Sequence, residues 1–152
     1  MIGILKTQVS SKPQDASAIA SINQLTNTSI NTCLFCDNIS DEFIGQIKTN
    51  ILHRTNVSYF KGILITDELL RGQDLLTTSY AKKRFIYLYN LDWNKITPLR
   101  FANLANVLLH DYIDLIVQDE KSYQIVEQLF KAPKYIMKDW DTNTLIEIDN
   151  NE

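Results

Sequence analysis

The sequence predicts one α/β domain built on a doubly wound, mostly parallel sheet. Three observations carry this. Short apolar runs alternate with amphipathic stretches along the whole chain, the order in which βαβ units are written. The length, 152 residues, suits a single domain with a core of its own. Apolar residues make up 45% of the chain and charged residues 22%, an ordinary globular balance that argues against disorder.

The elements follow in order. Ile2–Val9 (IGILKTQV) reads as the first strand and Ser10 to Pro13 as a loop. Asp15 caps a helix over Ala16–Leu25, where Ile19, Ile22 and Leu25 recur at helical spacing. Thr32–Cys36 (TCLFC) is apolar enough for a buried parallel strand. Ser40 caps a helix whose Phe43, Ile44, Ile47 and Ile51 form one stripe. Val57–Phe60 and Gly62–Thr66 are both strand-like, and Asp67 reads as the cap of a helix carrying Leu69, Leu70, Leu75 and Leu76. Phe85–Leu91 is a strong strand. Thr97-Pro98 starts a helix that runs to about His110, with the proline at its first position. Ile113–Val117 is the next strand, and Asp119 or Glu120 opens a helix through Phe130. Pro133–Met137 gives a short last strand, and Thr144–Ile148 an end piece without a clear pattern. The domain is expected to span residues 1–141 and an acidic C-terminal segment residues 142–152. Such a sheet is Rossmann-like, and ligands on it sit beyond the carboxyl ends of the strands. That rule selects Thr7 to Ser11, Asp37-Asn38, Thr66-Asp67, Asn90 to Asn94, Gln118 to Lys121 and Lys138-Asp139.

Composition excludes several functions. The four glycines (Gly3, Gly45, Gly62, Gly72) lie too far apart for GxGxxG or GxxxxGK, so a standard phosphate-cradling loop is ruled out. A net charge of −3 and a pI near 5.4 argue against a nucleic-acid partner held by charge. The charge is uneven, since Asp139, Asp141, Glu147, Asp149 and Glu152 close the chain with no base among them. This end is read as a solvated tail, with partner docking as the other reading. No stretch approaches the ~20 apolar residues of a membrane span, and the N-terminal apolar run is too short for a signal peptide. The expectation is a soluble cytoplasmic protein. Asn and Ile outnumber Ala, the bias of an A+T-rich genome such as a virus or a small-genome bacterium, which would place it in the host cytoplasm if viral.

Candidate chemistry is sparse. Cys33 and Cys36, three apart in a strand, point to opposite faces and read as buried thiols. With only His53 and His110 beside them, no metal is predicted. No cofactor is predicted either. Asp119-Glu120-Lys121 matches the acid-x-Lys element of Mg-dependent nucleases, with Asp92 or Asp114 as the further acid, or it simply starts a helix. Asn90-Leu91-Asp92-Trp93-Asn94 ends a central strand. Trp93 there stacks on a sugar or base while Asp92 accepts from hydroxyls, or Trp93 covers the sheet edge and Asp92 satisfies a turn.

The second half, RFIYLYNLDWNKI followed by a helix and then IDLIVQDEKSYQIVEQLFKAPKYIMKDWD, resembles the N-terminal, acceptor-side domain of GT-B glycosyltransferases of the family 4 type. The resemblance covers residues 57–141 through its strand ends, at Asn90–Trp93, Gln118–Leu129 and Tyr135–Asp141, and residues 1–56 through general architecture. It implies an acceptor site with Asn90, Asp92, Trp93, Asp119, Glu120 and Lys121 as candidate ligand-binding residues. Because that family binds its donor in a second domain, it also implies sugar transfer only with a separate nucleotide-sugar-binding subunit as partner, or a catalytically degenerate binding protein, or a fragment of a larger gene. The family's Gly-rich first loop is replaced here by KTQVSSKP. The alternative reading is a non-enzymatic phage or bacterial interaction protein that reuses the fold.

Overall fold

Along the central strands, successive side chains enter two separate cores. Ile2 and Ile4 of β1 (Ile2–Leu5), Leu34 and Cys36 of β3 (Thr32–Cys36), and Ile63 and Ile65 of β6 (Ile63–Thr66) face one core. Phe85 and Tyr87 of β7 (Lys83–Leu88) and Ile116 of β8 (Asp114–Val117) join them. Leu5, Cys33, Phe35, Leu64, Ile86, Leu88, Leu115 and Val117 face the other. This period of two, apolar on both sides, is what a sheet buried on both faces requires. Cys33 and Cys36 accordingly lie on opposite faces, both as free buried thiols.

The computed structural model describes residues 1–91, 93 and 97–152. Its seven-stranded sheet is parallel throughout, in the order β5-β3-β1-β6-β7-β8-β9, where β5 is Asn50–His53 and β9 is Tyr135–Ile136. A second, two-stranded sheet pairs β2 (Gln8–Val9) with β4 (Asn38–Ile39). The chain winds outward one way from β1 to β3 and β5, returns to the middle at β6, and winds the other way to β9. Helix α1 (Pro13–Leu25) and helix α5 (Thr142–Asn151) bury Ala18, Ile19, Ile22, Leu25, Leu145 and Ile148 on one face. Helices α2 (Gly72–Leu76), α3 (Pro98–Leu108) and α4 (Glu120–Leu129) bury Leu75, Leu104, Val107, Leu108 and Val126 on the other. The reversal of strand order between β1 and β6 is a topological switch point, where a doubly wound fold opens a crevice at its carboxyl edge. Among the described residues no helix is long and apolar enough to cross a membrane.

Three local expectations are corrected. No α-helix follows Ser40: one 3₁₀ turn, Asp41–Phe43, is followed by Gly45 at φ +82°, and residues 50–53 become edge strand β5. The left-handed glycine ends the turn before a helix can propagate, and Ile44 and Ile51 stay largely exposed. Val57–Phe60 is not a strand, because residues 54–59 form a 3₁₀ segment that tucks Val57 under the sheet. The acidic end is not a solvated tail. Leu145 and Ile148, one helical turn apart, are fully buried, and two of the acids around them are paired. Asp149 meets the Met1 amino group at 2.6 Å, and Glu152 meets Lys83 at 3.2 Å and also Lys134.

One glycine position is dictated by packing. A Cβ on Gly62 would lie 2.4 Å from the Met1 carbonyl oxygen, backbone that cannot yield without shifting β1. Gly62→Ala is therefore expected to cost about 1–3 kcal/mol by overpacking. Equilibrium urea unfolding that shows an unchanged midpoint would contradict this.

Candidate functional site

The carboxyl ends of β1 and β6 bring a lysine and an aspartate side by side. Ile4 pairs with Ile65, so Lys6 and Asp67 are the next residues to fall abreast on the α1 face. The Lys6 ammonium donates to Asp67 Oδ1 and Oδ2, both at 2.7 Å, and to Asp15 Oδ1 at 2.6 Å. Neither the Lys6 nor the Asp67 side chain is exposed at all. The ammonium also lies 5.8 Å from the ring centre of Trp140, within cation–π range.

Burial disfavours every charge in this triad, and the outcome differs by residue. For Lys6 the attraction of Asp67 and the bonds to both aspartates outweigh burial, and its pKa is raised. For Asp67 burial dominates and pushes the carboxyl up against the pull of Lys6. Asp15 is held below the usual carboxylate range, because its bonds to Lys6 and Ser10 outweigh its desolvation.

Asp15 and Asp67 are therefore not helix caps. Asp15 sits in the first turn of α1 and reaches back, accepting from the Ser10 backbone N–H at 2.9 Å and the Ser10 hydroxyl at 2.7 Å. A doubly wound fold that binds dinucleotides places a phosphate at this first strand-to-helix turn. Here the protein's own carboxylate occupies the turn, with Lys6 as its counter-ion.

Above the triad opens a cleft of about 310 Å³, lined by Thr7, Gln14, Asp67, Glu68, Leu69, Leu70, Arg71, Tyr89 and Asn90. Its polar groups are held in place. Glu68 accepts from the Thr7 N–H at 2.8 Å and the Thr7 hydroxyl at 2.5 Å. Arg71 Nε donates to the same hydroxyl at 2.7 Å, and its Nη1 reaches Asp74 at 3.2 Å. Asp74 accepts from Arg54 at 3.0 Å, and Arg54 donates onward to Asp37 at 2.8 Å. This ion-pair chain spans the carboxyl edge from β3 to β6. On the far wall, Tyr89 donates to Asp139 Oδ1 at 2.7 Å.

A carboxylate accepts about four hydrogen bonds, so Glu68 keeps about two acceptor positions for a ligand. Arg71 offers donors, and the Asn90 and Gln14 amides offer both kinds. The set suits a hydroxylated ligand. Among the described residues the cleft lining carries Asp67 and Glu68 against one arginine, which makes it a poor site for phosphate.

Of the residues chosen from the sequence, Asn90 lies in the cleft. Asp92 lies outside the described residues. Trp93 is half-buried and packs edge-on against Phe130, ring centres 5.5 Å apart. Asp119 caps α4, accepting from the Ser122 N–H at 2.7 Å, which holds its carboxyl below the usual range. Glu120 and Lys121 are exposed in the first turn of α4. Among the described residues no three His, Cys, Asp or Glu side chains gather as a metal-ligand set. Lys6, Asp15, Glu68 and Arg71 were missed. The signal for Lys6 was a lysine directly after an all-apolar strand, where the next in-face position is buried. Comparison of the chain with protein-family models, with curated proteins and with solved structures found no match.

Proposed function

We propose that this chain is a glycosyltransferase-like, acceptor-side domain that binds a hydroxylated ligand at the switch point and transfers sugar only together with a separate donor-binding domain. One observation carries the reading. The turn that would cradle a nucleotide phosphate is filled by Asp15 and Lys6, while the adjoining cleft presents Glu68, Arg71, Gln14 and Asn90. Hydroxyl groups both donate and accept, and this mixed set satisfies both. The strand order, doubly wound with its crevice at the reversal, is the architecture the resemblance implies.

Calorimetric titration with methyl glycosides and with UDP, GDP and NAD tests the reading. The expected result is millimolar or tighter binding of at least one glycoside, weakened about tenfold or more in Glu68→Ala, and no binding of the nucleotides. Nucleotide binding by the chain alone, with glycosides inert, would overturn it.

A further inference from the structure

A second concavity adjoins the cleft. It has a volume of about 280 Å³ and lies between the α2 region and α3, walled by Leu69, Leu70, Leu104 and Val107. Leu69 and Leu70 line both spaces, so the two meet along one apolar ridge. Leu70 is 67% exposed on that ridge, a large apolar side chain left in water where a ligand would cover it. The two spaces differ in charge. The cleft holds Asp67, Glu68 and Arg71, whereas among the described residues Arg100 is the one charged residue lining the groove. The cleft alone sits at the lower end of the usual ligand-site range of roughly 300–1,000 Å³ and the groove just below it, and joined they fall well inside it.

We propose that cleft and groove together hold one amphipathic ligand, its hydroxylated head at Glu68 and Arg71, its alkyl tail along Leu70, Leu104 and Val107, and an anionic group beside Arg100. The head position rests on the reading of the cleft given above. The tail position stands on the apolar walls, and the anion on the charge of the groove. The chemistry is that of an alkyl-linked sugar carrying a phosphate or similar group, a class in which each buried methylene strengthens binding about three- to fourfold.

The test titrates the whole chain with methyl, hexyl and octyl β-glucoside, each below its micelle concentration, and with octyl phosphate as competitor. Affinity is expected to climb at least a hundredfold from methyl to octyl. Gln73→Trp and Asn103→Trp fill the groove from exposed positions that do not line the cleft. They should erase that gain and leave methyl glucoside binding unchanged. Octyl phosphate should displace octyl glucoside, about tenfold less well in Arg100→Gln. Octyl glucoside binding no tighter than the methyl compound, or a chain-length gain that both tryptophan variants keep, would overturn the proposal. Octyl phosphate binding that is lost in both tryptophan variants, with methyl glucoside inert, would support the groove while counting against the hydroxyl reading of the cleft.

Discussion

Lys6→Met should destabilise the protein by about 3–5 kcal/mol at pH 7, because it strands two carboxylates that share one buried counter-ion. Methionine matches the lysine stem in length, so packing is nearly conserved and the loss is electrostatic. That sum is a large fraction of a typical domain's stability of 5–15 kcal/mol. The sign of the pH dependence follows from the site. Without Lys6, burial and the repulsion of Asp15 and Glu68 act unopposed on Asp67 and raise its folded-state pKa further above the unfolded value. A raised carboxyl contributes stability that is present below the unfolded pKa and lost as pH rises through the folded one. The deficit relative to wild type should therefore shrink as pH falls from 7 toward 4. Asp67→Asn in the Lys6→Met background should recover part of the loss at neutral pH. Urea unfolding at several pH values checks all three, and a pH-independent loss under 1 kcal/mol would contradict them.

Trp140→Ala should cost about 3–5 kcal/mol through loss of packing. Trp140 is fully buried, meets Tyr87 edge-on at 5.1 Å and closes the α1 face over Lys6. Its carbonyl accepts from Ser21 of α1, tying the segment before α5 to the first helix. The chain reaches this position through two left-handed residues, Asp139 at φ +47° and Trp140 at φ +60°, a conformation that the surrounding contacts must hold. The indole N–H has no hydrogen-bond partner among the described residues. Trp140→Phe should therefore lose only part of the packing and no bond, and cost much less than alanine. Thermal or urea unfolding of both variants measures the difference. Equal losses would contradict a packing role that a phenyl ring partly restores.

The layered fold was legible in the sequence because β1, β3, β6, β7 and β8 are apolar on both faces, and such runs read as buried parallel strands. Thr97-Pro98 and Asp119 marked the starts of α3 and α4 for the same kind of local reason, a preset φ and a side chain that accepts from the third residue on. The stripe after Ser40 misled, since Phe43, Ile44, Ile47 and Ile51 match a helical period while Gly45 stops the helix. The candidate site was only partly legible. Asp15 and Asp67 each carry a strong local signal as helix caps. Their actual partner, Lys6, is set by β1 lying beside β6, and that adjacency spans 61 residues. Strand order is not written in any local window, so the strand-end rule reaches Asn90, which lines the cleft, and does not reach Lys6, Glu68 or Arg71.

The most direct test is amide and side-chain NMR of the labelled protein titrated with methyl glycosides and, separately, with nucleotides. The expected shifts under glycoside cluster at Thr7, Gln14, Glu68, Arg71 and Asn90, at the carboxyl ends of β1, β6 and β7, and vanish in Glu68→Ala. Shifts confined to other surfaces, or shifts at the Ser10–Asp15 turn produced by nucleotides alone, would contradict a hydroxyl-binding cleft at the switch point.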